Sequence, residues 1–224
     1  MRTTLEDNLV NLFSSNRLNS YKFTNFDDNS LALERYLYNI ELSKSLYPLL
    51  SILEVSLRNR INQAIETILQ KDWLLSELEQ QNILLFNEHK KLLDAYSKLL
   101  NKGHKNICTD DIIAELSLGF WIHLCTKKYK TILWHQKGFF RIVFADYPNF
   151  SEFDKLSRVF PLLQLMLKLR NRIFHHEIII NNPYGIENCY NDLRKLLGFL
   201  SSDGLRYLDK ICDFKNVIAK QKPQ

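Results

Sequence analysis

Apolar residues return at helical spacing along most of the chain. After a mixed start, "NSYKFTNFDDNS" reads as a loop by its Asn, Asp and Ser content. From Leu31 onward, Leu33, Tyr36, Leu37 and Ile40 recur every three or four positions, which predicts a helix. Pro48 fits the first turn of a following helix, where its missing N–H has no partner to lose. That helix runs through "LLSILEVSLRNRINQAIETIL" to about Leu69.

Ser76 and Glu79 form a capping-box pattern for a helix that continues to about Leu100 and stops at Gly103. Thr109 or Asp110 can cap the next segment, "IIAELSLGFWIHLCTKKYKTILW", in which Gly119 either breaks the helix or allows close packing. His135 to Phe150 reads as a short helix or an irregular apolar plug. Ser151 and Asp154 give another capping signal, for a helix running through Leu162 to about His176. "NNPYG" is a turn. Ile186 to about Ala219 forms one broken helix or two short ones, with "SSDG" at the break, and "KQKPQ" is a frayed tail.

Composition narrows the class. Only 6 Gly and 5 Pro among 224 residues argue against a turn-rich β architecture, and 46% apolar residues are enough for a substantial core. No Ser/Pro/Gly-rich linker divides the chain. The expectation is a single all-α domain, 1–224, with about 70–150 a candidate helical insertion between two halves.

No apolar run approaches the roughly 20 residues that a membrane-crossing helix needs. "MRTTLEDNLVNLF" lacks the apolar block of a signal peptide, and the expected location is cytoplasmic. Cys108, Cys125, Cys189 and Cys212 are widely spaced and read as reduced thiols. A formal charge of +5 permits an anionic partner such as RNA without demanding one.

One stretch joins polar chemistry to an apolar frame: "LKLRNRIFHHEIII", residues 167–180. On a helix, Asn171 and His175 stack four residues apart, and the long side chain of Arg170 reaches the same space. A guanidinium clamps phosphate, an imidazole moves a proton near neutral pH, and an amide positions either. Together they suffice for metal-free RNA cleavage by 2′-hydroxyl attack, with Arg170 stabilising the charge that develops. The same spacing also suits solvated side chains on an amphipathic helix. His176 and Glu177 point in different directions and lack further ligands, so no metal site is expected. No cofactor is implied.

"RNRIFH", Arg170 to His175, matches the R-x4-H signature of the HEPN superfamily. "PLLSILEVSLRNRINQAI" (48–65), "LSLGFWIHL" (116–124) followed by "LW" (133–134), and "LRNRIFHHEIII" (169–180) resemble, in order, the Abi-like proteins of bacterial abortive-infection systems. The resemblance implies a HEPN-like helical bundle, commonly a homodimer with facing motif helices. It also implies a metal-independent endoribonuclease acting as a toxin or in antiviral (phage) defence, with an antitoxin or phage trigger as a further partner. Carried over, His175 is the proton-transfer residue, Arg170 the phosphate clamp and Asn171 the positioning group. His176 and Glu177 either touch substrate or cap the helix. The alternative is a non-catalytic HEPN scaffold that binds RNA, a nucleotide or a protein partner.

"LRNRI" also occurs at Leu57 to Ile61, but the fifth residue after Arg58 is Gln63, so this copy lacks the histidine. Glu54 and Arg58 suit an i,i+4 ion pair. Alternatively, Glu54, Arg58 and Asn59 lie beside the motif helix and align it. Phe120, Trp121 and Trp134 read as core rather than a base-stacking platform. Lys127, Lys128 and Lys130 read as a solvated face, with an RNA-backbone contact as the alternative.

Overall fold

The computed structural model describes residues 5–149 and 155–220. Among them there is no strand, so the all-α expectation holds. The helices are α1 (Leu5–Phe13), α2 (Ser15–Asn19), α3 (Asn29–Ile68), α4 (Trp73–Glu79), α5 (Phe86–Asn101) and α6 (Thr109–Glu115). They continue with α7 (Leu118–His123), α8 (Phe139–Val143), α9 (Lys155–Phe174), α10 (Ile186–Leu200), α11 (Ser202–Ile211) and α12 (Phe214–Ala219). Lys127–Tyr129 is a 3-10 turn and Lys130–Trp134 a π-helical one. No described helix is long and apolar enough to cross a membrane.

α3 is the spine, with α2, α7, α8, α9, α10, α11 and α12 packed along it. Its 40 residues run straight through Pro48, which corrects the expectation of a helix starting there. Leu46, Leu49, Leu50 and Leu53, each at most 1% exposed, bury the turns on both sides of the proline. That packing holds the helix across the missing N–H, as tertiary contacts override local propensity. The Cys212 thiol donates to Ser45 O (3.5 Å) in the turn before the proline.

The helix expected from Ser76 to Leu100 is two. Ser76 lies inside α4, where its hydroxyl bonds back to Asp72 O (3.4 Å), so it caps nothing. The cause of the break is Glu77, whose buried carboxylate accepts the N–H groups of Asn82 (2.9 Å), Ile83 (2.5 Å) and Leu84 (3.1 Å). A carboxylate can be buried there because those three donors replace its water. Gly103, at φ +87°, ends α5's turn as expected.

α6 is capped by Cys108 rather than by Thr109 or Asp110, with Asp111 accepting the Cys108 N–H (3.0 Å). The break in the following segment falls at Leu116 and Ser117, and Gly119 sits inside α7. The region after His135 includes the short helix α8. The Ser151 and Asp154 cap and the end of the tail lie outside the described residues. The C-terminal region is three helices, α10 to α12, rather than one broken helix or two: the break at Ser201 was expected, and a second falls at Cys212 and Asp213.

Phe120 and Trp121 are fully buried and Trp134 nearly so, in agreement with the core reading. His123 and His89, without assignable partners in the sequence, meet the buried Glu88 carboxylate and Glu77 O respectively.

Candidate functional site

Val159, Leu163, Met166, Leu169 and Ile173 are buried at spacings of three and four, and seat α9 against the core. The polar residues of the motif take the other faces. Arg170 is half-buried, while Asn171 and His175 are exposed.

The helix ends at Phe174, and the next three residues close it. His175 N–H bonds Asn171 O (2.9 Å), which carries the helical backbone pattern one residue past Phe174. His176 N–H bonds Ile173 O (3.1 Å) and Glu177 N–H reaches back to Arg172 O (2.8 Å). This is a Schellman termination, with His176 in its left-handed position at φ +57°. Of the two roles left open for His176 and Glu177, capping is the one their backbone performs. The Glu177 carboxylate also pairs with Arg172 Nε (3.4 Å).

The chain leaving this turn is pinned from α3. Asn39, 4% exposed, donates to Glu177 O (3.2 Å) and accepts from Ile179 N–H (2.8 Å) and Ile180 N–H (3.3 Å). Nothing in the sequence near the motif signals this residue.

Arg170 faces α3. Its Nε lies 3.3 Å from Glu54 Oε2, and its guanidinium sits over the Phe174 ring at 4.4 Å. Glu54 therefore pairs across the two helices instead of with Arg58 one turn along its own. Arg58 lines the same groove, its Nε hidden from solvent and without a hydrogen-bond partner. Tyr47, Leu50, Ser51, Val55 and Phe174 complete this open groove of about 200 Å³. Asn59 is exposed and does not line it.

The structure thus brings Arg170, Glu54 and Arg58 together, while Asn171 and His175 are exposed and do not line the groove. Among the described residues, no hydrogen bond joins the His175 imidazole to Arg170 or Asn171. Two guanidiniums and one carboxylate leave the groove with an excess of positive charge suited to an anion. Sequence reasoning missed Phe174 and Tyr47 as parts of the site. Their rings stand 6.2 Å apart, and the four-residue spacing of Phe174 from Arg170 was the available signal. Among the described residues no group of three or more His, Cys, Asp or Glu is placed to hold a metal ion. No protein-family model, curated protein or solved structure matches the chain.

Proposed function

We propose that this chain is a metal-independent endoribonuclease of the HEPN type, acting as a toxin or in defence against phage. The observation that carries the reading is the Arg170-Asn171-x-x-x-His175 motif at the exposed C-terminal end of α9, beside a groove holding a second guanidinium, Arg58. His175 takes the proton of a ribose 2′-hydroxyl, and the freed oxygen attacks the adjacent phosphorus. The bond from phosphorus to the 5′-oxygen breaks, and the proton taken by His175 is returned to that leaving oxygen. Arg170, aided by Arg58, neutralises the charge gathering on the phosphate, while Asn171 holds the imidazole or a phosphate oxygen.

The reading includes a homodimer. Tyr47, Val55 and Phe174 are 54%, 41% and 45% exposed around the groove, an apolar rim that a second copy would cover. Two motifs would then face one RNA strand.

Purified protein is expected to cut RNA in EDTA and to leave a 2′,3′-cyclic phosphate or its hydrolysis product. Arg170→Ala and His175→Ala remove cleavage and keep the helical circular dichroism. Cutting by both variants at the wild-type rate would overturn the assignment. Growth arrest on expression, lost in His175→Ala, extends the test to a protein that is silent when pure.

The non-catalytic reading has one observation on its side: the guanidinium of Arg170 is already engaged by Glu54. Tight RNA binding without products over long incubation would favour it.

A further inference from the structure

The outer side of α5 carries a repeat. Phe86, Leu93 and Leu100, which are 75%, 41% and 49% exposed, follow one another every seven residues. Seven residues are nearly two full turns, so the three side chains stand in one row almost parallel to the helix axis. A different row, Glu88, Leu92, Ala95 and Leu99, seats α5 on the core. Single exposed apolar residues are ordinary on a protein surface, whereas a row of three large ones along one helix marks a contact face.

The charges around the row are sorted. Lys91 lies 3.8 Å from Glu88 and Lys102 lies 2.6 Å from Glu115, both on the side of α5 turned away from the row. His89 and Tyr96 flank the row on one side and are half-buried, with His89 Nε2 bonded to Glu77 O (2.8 Å). Lys90 and Asp94 flank it on the other, exposed and without an ion pair among the described residues. Lys90 precedes Asp94 by four residues, the order that pairs less well within one helix.

This pattern is its own complement. A two-fold axis through Leu93, normal to the helix, lays a second α5 antiparallel on the first. Phe86 and Leu100 lie seven residues to either side of Leu93, so each Phe86 meets the Leu100 of the other copy and the two Leu93 side chains meet each other. Lys90 is three residues before the axis and Asp94 one after it, on the same flank. The rotation therefore sets each Lys90 only about 3 Å along the helix from the Asp94 of the other copy. A parallel pair would instead turn that flank toward His89 and Tyr96, leaving both charges without a complement.

We propose that α5 is a self-association surface, pairing two copies of this chain antiparallel through Phe86, Leu93 and Leu100 with Lys90–Asp94 ion pairs at the flank. The surface is separate from the groove beside the motif, and the proposal does not rest on the ribonuclease reading. One helix of 16 residues per copy covers less than the roughly 1,200 Å² of a stable complex, so a reversible dimer with a Kd of tens of micromolar is expected.

The test uses the full chain carrying Tyr47→Glu, which blocks pairing through the groove rim, and Cys108→Ser, which removes an exposed thiol. Sedimentation velocity from about 5 µM to about 300 µM should show a monomer–dimer equilibrium. Leu93→Glu should abolish it, and Tyr207→Glu, at an exposed side chain on α11, should leave it unchanged. Lys90→Glu or Asp94→Lys alone should weaken the dimer about tenfold, and the two together should restore it, since the reversed pair is again complementary. Under mild oxidation Leu93→Cys should give a disulfide-linked dimer. Phe86→Cys and Leu100→Cys should link to each other in a mixture and far less each to itself. Thermal melts accompany each variant, and the cysteine variants keep the test decisive where a charged one unfolds.

Equal effects of Leu93→Glu and Tyr207→Glu, or no recovery in the double charge reversal, would overturn the proposal. Phe86→Cys linking to itself as readily as to Leu100→Cys would reject the antiparallel register. A chain that stays monomeric over the whole range, yet pairs once Tyr47 is restored, would assign self-association to the groove and reject the α5 pairing alone. Pairing that persists in Tyr47→Glu and is lost in Leu93→Glu, whatever the outcome of the RNA assays, establishes the α5 surface.

Discussion

Glu54 and Arg170 lie 116 residues apart in the chain, and their side chains meet 3.3 Å apart, tying the motif helix to the spine of the fold. Both side chains remain partly exposed, at 24% and 30%. A pair of this kind contributes at most about 1 kcal/mol. Its larger consequence is electrostatic: the carboxylate occupies the guanidinium that a phosphate would use. Glu54→Gln is therefore expected to move the thermal midpoint little and to tighten RNA binding several-fold at low salt. A double-mutant cycle with Arg170→Ala checks this, because the gain must vanish when Arg170 is absent. Weaker binding by Glu54→Gln would mean that Glu54 aligns Arg170 for its substrate rather than competing with it.

His176 separates structural from chemical roles within the motif region. Its backbone is left-handed at φ +57°, a conformation that a β-carbon disfavours by roughly 1–2 kcal/mol. Glycine removes that strain but adds freedom to the unfolded chain, which returns about 0.4–1 kcal/mol of the gain. His176→Gly should thus raise stability in urea unfolding by up to about 1 kcal/mol and leave the RNA cleavage proposed for His175 unchanged. A fall in stability would show that the imidazole makes a contact worth more than the strain. Loss of cleavage with stability intact would make His176 a substrate contact.

How far the sequence could be read depends on the range of the interaction. Spacings of three and four made the helical class and the buried face of α9 legible, since both follow from one helix's own periodicity. Pro48 misled because its local preference for a helix start is outweighed by leucines that meet other helices. Ser76 misled because the real event, a buried Glu77 collecting three backbone donors, leaves no local signature. Glu54 was read either as a partner of Arg58 on its own helix or as a residue beside the motif helix; a single sequence could not choose, and the fold sets its contact with Arg170.

Asn39 is the residue whose removal should most disturb the exit from the motif. One amide accepts two backbone N–H groups and donates to a carbonyl, all from Glu177 to Ile180. Asn39→Ala leaves the buried Ile179 N–H without that acceptor, a loss of about 1–3 kcal/mol. The urea midpoint should fall accordingly, and amides after the motif should exchange faster than those of α10. Asn39→Asp keeps the acceptor and loses the donor, so it should fall between. Equal, small effects from both substitutions would mean that the turn is held by its own Schellman bonds alone.

Acid sensitivity should concentrate at Asp27. Its carboxylate receives Arg35 and the Thr24 hydroxyl, and also the backbone N–H groups of Thr24 (3.0 Å) and Phe23 (2.6 Å). Arg35, foremost among these, holds the Asp27 carboxyl well below the usual carboxylate range. A depressed value in the folded state means that Asp27 adds stability above its unfolded pKa of about 4, and that this is lost as pH falls through the folded value. Asp27→Asn removes the titration and strands Arg35, which is 5% exposed and also bonds Tyr21 O (3.1 Å). The difference in stability between wild type and Asp27→Asn should therefore be full at neutral pH and shrink steadily below about pH 4. Urea midpoints from pH 7 down to pH 2 measure it. A difference that stays constant over that range would show that the substitution acts through packing of the 20–28 segment and not through the Asp27 charge.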